Sequence, residues 1–247
     1  MKILFSPSET KTTYASEAPL HEKSFIFPEL YQKRLFVVEQ YRSLLQEANL
    51  STLQTLFGYK EEEKVIAHAA IDPLKALTCK AIERYSGVAY DYLDFRTLDE
   101  ISQHFLEENL LIFSNLFGPI LAKDLIPVYK VHQGQSLNGF KIEPFYKETF
   151  QDVLHTWLDG EMVIDLRAGF YEKFFTLKQP YITMKFLKNG KNVSHFAKAY
   201  RGMVVRALAQ HRPSTEAELQ NIPFSGLKIK EILLSKYKYE YIFESID

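Results

Sequence analysis

The sequence predicts a mixed α/β fold, a single compact domain in which a mixed β-sheet is flanked by helices. Two observations predict the class. Apolar runs of strand length, at Lys2 to Phe5, Leu110 to Phe113 and Met162 to Leu166, alternate with longer stretches of helical periodicity. Hairpin-like strands then gather near the end, and strands alternating with helices before such a meander favour a mixed sheet with helices packed on it. A third observation sets the domain count. The chain has no internal repeat and no Ser-, Gly- or Pro-rich break, so residues 1–247 read as one domain.

The elements follow in order. Lys2 to Phe5 is a buried strand. Glu29 to Ala48 is a helix, with Leu30, Leu35, Val37, Val38, Tyr41, Leu44 and Leu45 recurring at helical spacing. Ser51 is positioned to cap a second helix. Glu61 to Ala70 and Pro73 to Glu83 read as further helices, the proline suiting a first turn. Asp99 to Asn109 is helical and leads into the strand Leu110 to Phe113. Val128 to Val131 is extended, Pro144 to Leu158 helical, and Met162 to Leu166 a strand. Tyr181 to Leu187 pairs with Val193 to Phe196 around Asn189-Gly190, a strong tight-turn signal. Ala197 to His211 is a helix, Thr215 starts a short one, and strands near Lys228 to Leu234 and Tyr237 to Phe243 end the chain.

Bulk properties bound the function. The 247 residues are 46% hydrophobic and 25% charged, ordinary for a globular protein and enough for a substantial core. Cys79 is the only cysteine, which excludes an internal disulfide or a two-cysteine redox mechanism and fits a reducing cytoplasm. Its expected place is a small buried hydrophobe. The apolar start is cut off by Ser6-Pro7, too early for a signal peptide, and no run approaches membrane-helix length, so a cytoplasmic protein without a membrane partner is expected.

Net charge is −1, yet it is unevenly spread: residues 1–127 hold 13 basic and 18 acidic side chains, residues 128–247 hold 17 and 13. Lys173 to Thr215 carries nine Lys/Arg and no Asp or Glu. Such a local source steers anions even when net charge is near zero; scattered lysines can equally serve only to solubilise hairpin edges.

Within that stretch the helix after Phe196 sets Lys198, Arg201 and Arg212 opposite an apolar face, with Arg206 at the flank. Gly202 in its interior implies close approach of a neighbouring element or a ligand. A second candidate is the hydroxyl-rich loop Ser6-Pro7-Ser8-Glu9-Thr10-Lys11-Thr12, directly after the first strand, where Ser6, Ser8 and Lys11 can hold an anion. It lacks the glycines of a phosphate-binding loop, so an ordinary polar turn is the competing reading. Gly118-Pro119 marks a tight turn that either exposes backbone N–H groups or simply connects two elements. Asp165, ending a strand, is a further candidate without an identified partner. The seven histidines show no zinc-type pairing, and there is no nucleophile elbow or dinucleotide fingerprint. No metal, cofactor or reaction is assigned.

These segments resemble the YaaA peroxide-stress family. Met1 to Thr10 (MKILFSPSET) is close to the family's opening strand and loop. Tyr85 to Tyr90 (YSGVAY) resembles its Y-K-G-D-V-Y block. Ser114 to Gly134 matches its S-G-L-Y-G block and the motifs after it, with Ser114, Leu116, Gly118, Asp124, Leu125, Tyr129 and Gly134 in place and Lys130 standing for arginine. Met162 to Tyr171 is similar to its V-I-N-L-A-S block, and Ala197 to Met203 with Arg206 to its A-K-x-A-R-G-x-x-x-R block. Val88, Asn115, Leu121, Ala122 and His132 depart from the pattern, marking a divergent branch.

The resemblance implies a compact α/β body with a helix-hairpin-helix-like element near Ser114 to Gly118. It implies a role in peroxide stress, including restraint of iron-driven damage, and DNA binding through a positive cleft. On the DNA reading Lys130, Lys198, Arg201 and Arg206 contact phosphates, with Gly118 near the backbone, and such contacts position without reading sequence. The alternative is an enzyme or sensor for a small anionic metabolite or nucleotide, held in a pocket by Ser6, Ser8, Lys11, Tyr90, Lys198 and Arg201. Direct iron sequestration lacks a carboxylate and histidine cluster to support it.

Overall fold

The computed structural model describes residues 1–192 and 196–246. The chain runs through β1 (Lys2–Phe5), α1 (Tyr31–Glu47), α2 (Leu50–Phe57), α3 (Glu62–Ala69), β2 (Thr78–Lys80), α4 (Ala81–Arg84), α5 (Val88–Leu93), α6 (Glu100–Asn109), β3 (Leu110–Ser114), β4 (Gly118–Leu121) and β5 (Leu125–Pro127). It continues through α7 (Ile142–Leu158), β6 (Val163–Asp165), β7 (Tyr181–Lys188), β8 (Lys191–Asn192), α8 (Ala197–His211), α9 (Glu216–Gln220), β9 (Leu227–Leu234) and β10 (Lys238–Ser245).

The main sheet has the order β4-β3-β1-β6-β7-β10-β9, with β8 added to β7. The central strands β3, β1, β6, β7 and β10 are parallel, and β4 and β9 close the edges antiparallel. Strands covered on both faces read as continuous apolar runs, and Ile3, Leu4, Phe5, Leu110 to Phe113, Val163 and Ile164 are all buried. β7 alternates instead, with Ile182, Met184 and Phe186 buried and Lys185 exposed, the pattern of a strand with one covered face. β2 and β5 form a separate antiparallel pair.

The expected mixed α/β class is observed. Several local expectations are corrected. Asn49, not Ser51, caps α2 through its side chain, which accepts from Thr52 N at 2.9 Å. The helix expected over Pro73 to Glu83 is present only as α4: residues 73–76 form a turn and bend, and residues 78–80 form β2, because Thr78, Cys79 and Lys80 pair with Pro127, Ile126 and Leu125. The extended segment expected at 128–131 lies earlier, as β5. Where a helix-hairpin-helix-like element was implied, Ser114 to Gly118 is the turn of the β3–β4 hairpin. The Asn189-Gly190 turn is present, with φ of 51° and 72°, and joins β7 to β8; the expected strand at Val193 and the neighbouring His195 lie outside the described residues.

Two buried features fix the frame. Arg34 of α1 is 1% exposed and donates to the carbonyls of Phe117, Pro119 (2.7 Å) and Ile26 (3.3 Å), tying α1 to the β3–β4 hairpin. Gly202 of α8 packs on α5: a Cβ there would lie 2.0 Å from Ala89 O and 3.0 Å from Leu93 N. The neighbour that requires this glycine is therefore a helix. One turn further on, Arg206 donates to Leu93 O and Asp94 O, both at 2.9 Å, at the C-terminal end of α5. The two helices thus run side by side in the same direction, with their N-termini at one end of the molecule.

Candidate functional site

That end is where β1, β3 and β6 finish. In a parallel sheet, ligands bind outside the carboxyl ends of the strands where the connections diverge to opposite sides. Here the chain leaves β1 to reach β3 on one side and later returns to β6 on the other, so the switch point lies between Phe5 and Asp165. Ser6 bridges it: its Oγ accepts from Ala168 N at 2.8 Å, and its carbonyl accepts from the Tyr90 hydroxyl at 2.9 Å.

The loop then turns over a cluster of buried tyrosines. The Tyr85 and Tyr129 hydroxyls are 2.9 Å apart, and Ser114 Oγ is 2.7 Å from Tyr129 Oη. Ser114 Oγ also accepts from Phe117 N at 2.9 Å, which closes the hairpin turn under the cluster. Lys11 Nζ sits 4.1 Å from the Tyr129 ring centre and 5.2 Å from that of Tyr85, and donates to Ser8 O at 3.1 Å. Burial, and next the repulsion of Lys130, push the Lys11 amine down to about 7; Glu9 pulls the other way and Arg84 adds to the fall.

Glu9 anchors the loop to the segment after β5. Lys130 Nζ donates to Glu9 O at 3.2 Å and to its Oε2 at 3.4 Å, and Gln133 N donates to Oε1 at 3.2 Å. His132 Nδ1 lies 2.7 Å from Oε1 but out of line for a ring hydrogen bond, so this contact is ionic when the ring is protonated. Burial raises the Glu9 carboxyl, but His132, Gln133 N–H and Lys130 together hold it below its ordinary value. His132 is one of the departures from the family pattern, and the glutamate expected there would face Glu9 with like charge.

The second wall is α5. Gly87, with φ of 98°, precedes it, and a Cβ there would meet Thr10 Oγ1 at 2.7 Å and Ser8 Oγ at 3.2 Å. Val88, exposed at the start of α5, replaces the expected aspartate, while the exposed Asp91 on the same turn accepts from Gly87 N at 3.3 Å. The third wall is α8. Lys198 lies one turn before Gly202, on the face toward α5, and is exposed. Arg201 is half-buried; burial lowers its basicity and the nearby Asp165 carboxylate partly offsets this. Neither Lys198 nor Arg201 makes a hydrogen bond or ion pair among the described residues.

Asp165 has the partner that the sequence left unidentified. Arg167 donates to it through Nε at 2.9 Å and NH2 at 2.7 Å, and its NH1 donates to Tyr171 O and Phe175 O. This buried pair shapes the floor by holding the turn after β6.

Of the candidate residues, Ser6, Ser8, Lys11, Tyr90 and Lys130 meet around one loop, and Lys198 and Arg201 stand on the adjoining helix. Gly118 stands apart, buried in β4, where a Cβ would meet the Tyr146 ring at 2.6 Å; its left-handed backbone serves packing. Arg206 is engaged with the end of α5, and Arg212 donates to Ala209 O and Ser102 Oγ, so the cationic stripe read from the sequence is half occupied internally. Sequence reasoning overlooked Glu9 and Thr10 as site-forming residues, although both lie inside the hydroxyl-rich loop it singled out. Leu121 and Ala122 are buried, so those departures change the core.

Comparison with known proteins adds the family. The profile described as "Peroxide stress protein YaaA" matches residues 1–233. An uncharacterized protein of Campylobacter jejuni is 46% identical over the whole of both chains. A UPF0246 protein of Corynebacterium efficiens is 36% identical over 85% of each chain, and one of Streptomyces coelicolor is 30% identical over 84% of this chain and 82% of its own.

Proposed function

The chain belongs to the peroxide stress protein YaaA family, and from that premise we propose that it acts by binding a small phosphate-bearing anion, of the nucleotide class, in the crevice at the carboxyl ends of β1, β3 and β6. The observation behind this reading is the position of the hydroxyl-rich loop with Ser6, Ser8, Thr10 and Lys11 at the carboxyl end of β1 and against the start of α5, on which α8 packs with Lys198 and Arg201, both without a hydrogen bond or ion pair among the described residues. Hydroxyl, backbone N–H and guanidinium donors suit the tetrahedral oxygens of a phosphate.

DNA is the second reading, favoured by the exposure of Lys185, Lys191 and Lys198 beside the crevice. Those side chains, with Arg201, would meet the phosphate backbone without reading sequence, whereas Lys130 is buried and held by Glu9.

A thermal-shift panel of nucleotides, inorganic phosphate and pyrophosphate, run beside fluorescence anisotropy with duplex and single-stranded DNA at two salt concentrations, separates the two. Stabilisation by a nucleotide that is lost in Lys198→Ala/Arg201→Ala supports the crevice. Binding confined to DNA and weakening steeply with salt, as counterion release requires, would replace it with the second reading.

A further inference from the structure

β9 closes the main sheet, and no strand among the described residues pairs with its outer edge. One bulge breaks its pairing with β10: Ile242 lies opposite Glu231 and Phe243 opposite Ile229, which leaves Lys230 as an additional residue. Leu227, Ile229, Ile232 and Leu234 therefore stand opposite Ser245, Phe243, Tyr241 and Tyr239. Directly opposite residues share a face, so all four lie on the side covered by α8 and α9, where Phe186 meets Tyr200 and Tyr241 donates to Glu216. Lys228, Lys230, Glu231 and Leu233 fall on the other side.

The same four apolar residues turn their backbone groups outward. Ser235 and Lys238 exchange both N–H···O bonds, at 2.9 and 3.2 Å, and at the far end Ile246 N donates to Gly226 O at 3.1 Å. Residues in an antiparallel ladder alternate in this respect. Counting from either end points Leu227, Ile229, Ile232 and Leu234 away from β10. They are two, three and two residues apart, a spacing that reads the same in both directions. A regular strand, with outward groups at every second residue, does not match it. A second β9 running antiparallel matches it in one register.

We propose that β9 is the interface of a symmetric dimer, in which it pairs antiparallel with β9 of a second copy about a two-fold axis between Lys230 and Glu231. Ile229 then faces Ile232 of the second copy and Lys230 faces its Glu231, each contact occurring twice, as an isologous interface requires. The charges are complementary: Glu231 has no ion pair among the described residues, and Lys230 reaches Glu244 at 3.4 Å. The two Ile229–Ile232 pairs exchange about four backbone hydrogen bonds. Backbone pairing ends at Leu227, whose N–H already donates to Phe224 O at 3.1 Å. There Leu234 of the second copy, 70% exposed in one chain, lies opposite Leu227 and over an open cavity of about 390 Å³ lined by Ile222, Pro223, Phe224, Leu227 and Ile229. Lysines and a bulge ordinarily guard an edge against pairing; here the bulge sets the partner, because a second copy reproduces it and a regular strand does not. β7 and β10 separate β9 from β6, so the pairing leaves the crevice open.

Sedimentation velocity over a concentration series reads the association, and dimer should grow with concentration. Leu234→Glu and Glu231→Lys, both at exposed positions, should each raise Kd at least ~10-fold. Lys230→Glu combined with Glu231→Lys should return it toward the wild-type value. Oxidative cross-linking reads the register. Lys228 lies opposite Leu233 of the second copy, whereas the two copies of either residue are about five residues apart along the pair, beyond the ~7 Å Cα reach of a disulfide. A mixture of Lys228→Cys and Leu233→Cys should therefore form a mixed disulfide dimer, and each variant alone should not, since Cys79 is buried. A chain that stays monomeric throughout overturns the proposal. So does a dimer indifferent to Leu234→Glu and Glu231→Lys, or one cross-linked equally by either cysteine variant alone. A monomer whose Ile229 and Ile232 amides are protected from exchange only when an alternating Val-Thr peptide is added assigns the edge to a different partner and likewise overturns the second copy.

Discussion

Gly202→Ala isolates the contact that aligns the two helices of the crevice. A Cβ at this position would lie 2.0 Å from Ala89 O, 2.9 Å from Ala89 C and 3.0 Å from Leu93 N. All three are backbone atoms, so no side chain can rotate away. Comfortable carbon contacts lie near ~3.5 Å, so α5 and α8 must part by more than about 1 Å. Overpacking of this kind costs ~1–3 kcal/mol, and a backbone clash belongs at the upper end. Replacing a mid-helix glycine returns up to ~1 kcal/mol of helix propensity. The net expectation is a loss of about 2 kcal/mol, or roughly 4–8 °C in Tm for a chain of this size. Thermal unfolding followed by circular dichroism reads it directly. An unchanged or raised Tm would show that α8 does not bear on α5 as described.

Three further outcomes follow from the same geometry. Asp165→Asn strands the buried Arg167 without its carboxylate and should cost about 3–5 kcal/mol in chemical denaturation; a loss under ~1 kcal/mol would contradict the buried pair. Arg206→Ala removes two charged hydrogen bonds from the end of α5 and should cost ~1–2 kcal/mol while leaving anion binding within about twofold; a tenfold loss of binding in a folded variant would return Arg206 to the ligand. The Lys11 amine, lowered in the fold from 10.5 to about 7, leaves the unfolded chain holding the extra proton between those values. Its contribution to stability therefore rises with pH from about 7 toward 10 and is flat below; the rise should disappear in Lys11→Met, and an identical profile in both proteins would refute the lowered amine.

The parts of the fold legible in the sequence are those whose pattern is set locally or by full burial. β1, the α6–β3 passage, α8 and the Asn189-Gly190 turn carry continuous apolar runs, helical periodicity or a turn dipeptide. β2 is different: Thr78-Cys79-Lys80 follows Pro73 and several helix-forming residues, and only its pairing with β5 makes it a strand. The site divides in the same way. The loop after β1 is visible as a run of hydroxyls with a lysine. The fates of Arg206, Arg212 and Gly118 depend on contacts with α5, Ser102 and Tyr146, at sequence distances that no local pattern encodes. Gly202 announced a close approach, but only the fold identified the partner. Cys79 is buried as expected, and burial pushes its thiol up, away from reactivity.

The most direct test of the crevice is titration calorimetry of a nucleoside diphosphate at low ionic strength, comparing wild type with Lys198→Ala/Arg201→Ala and with the exposed pair Lys185→Ala/Lys191→Ala. A single site weakened at least ~10-fold (about 1.4 kcal/mol) by the first pair and unchanged by the second is the expected result. No binding to folded wild type, or equal loss in both double variants, would contradict a built anion site at the carboxyl ends of the strands.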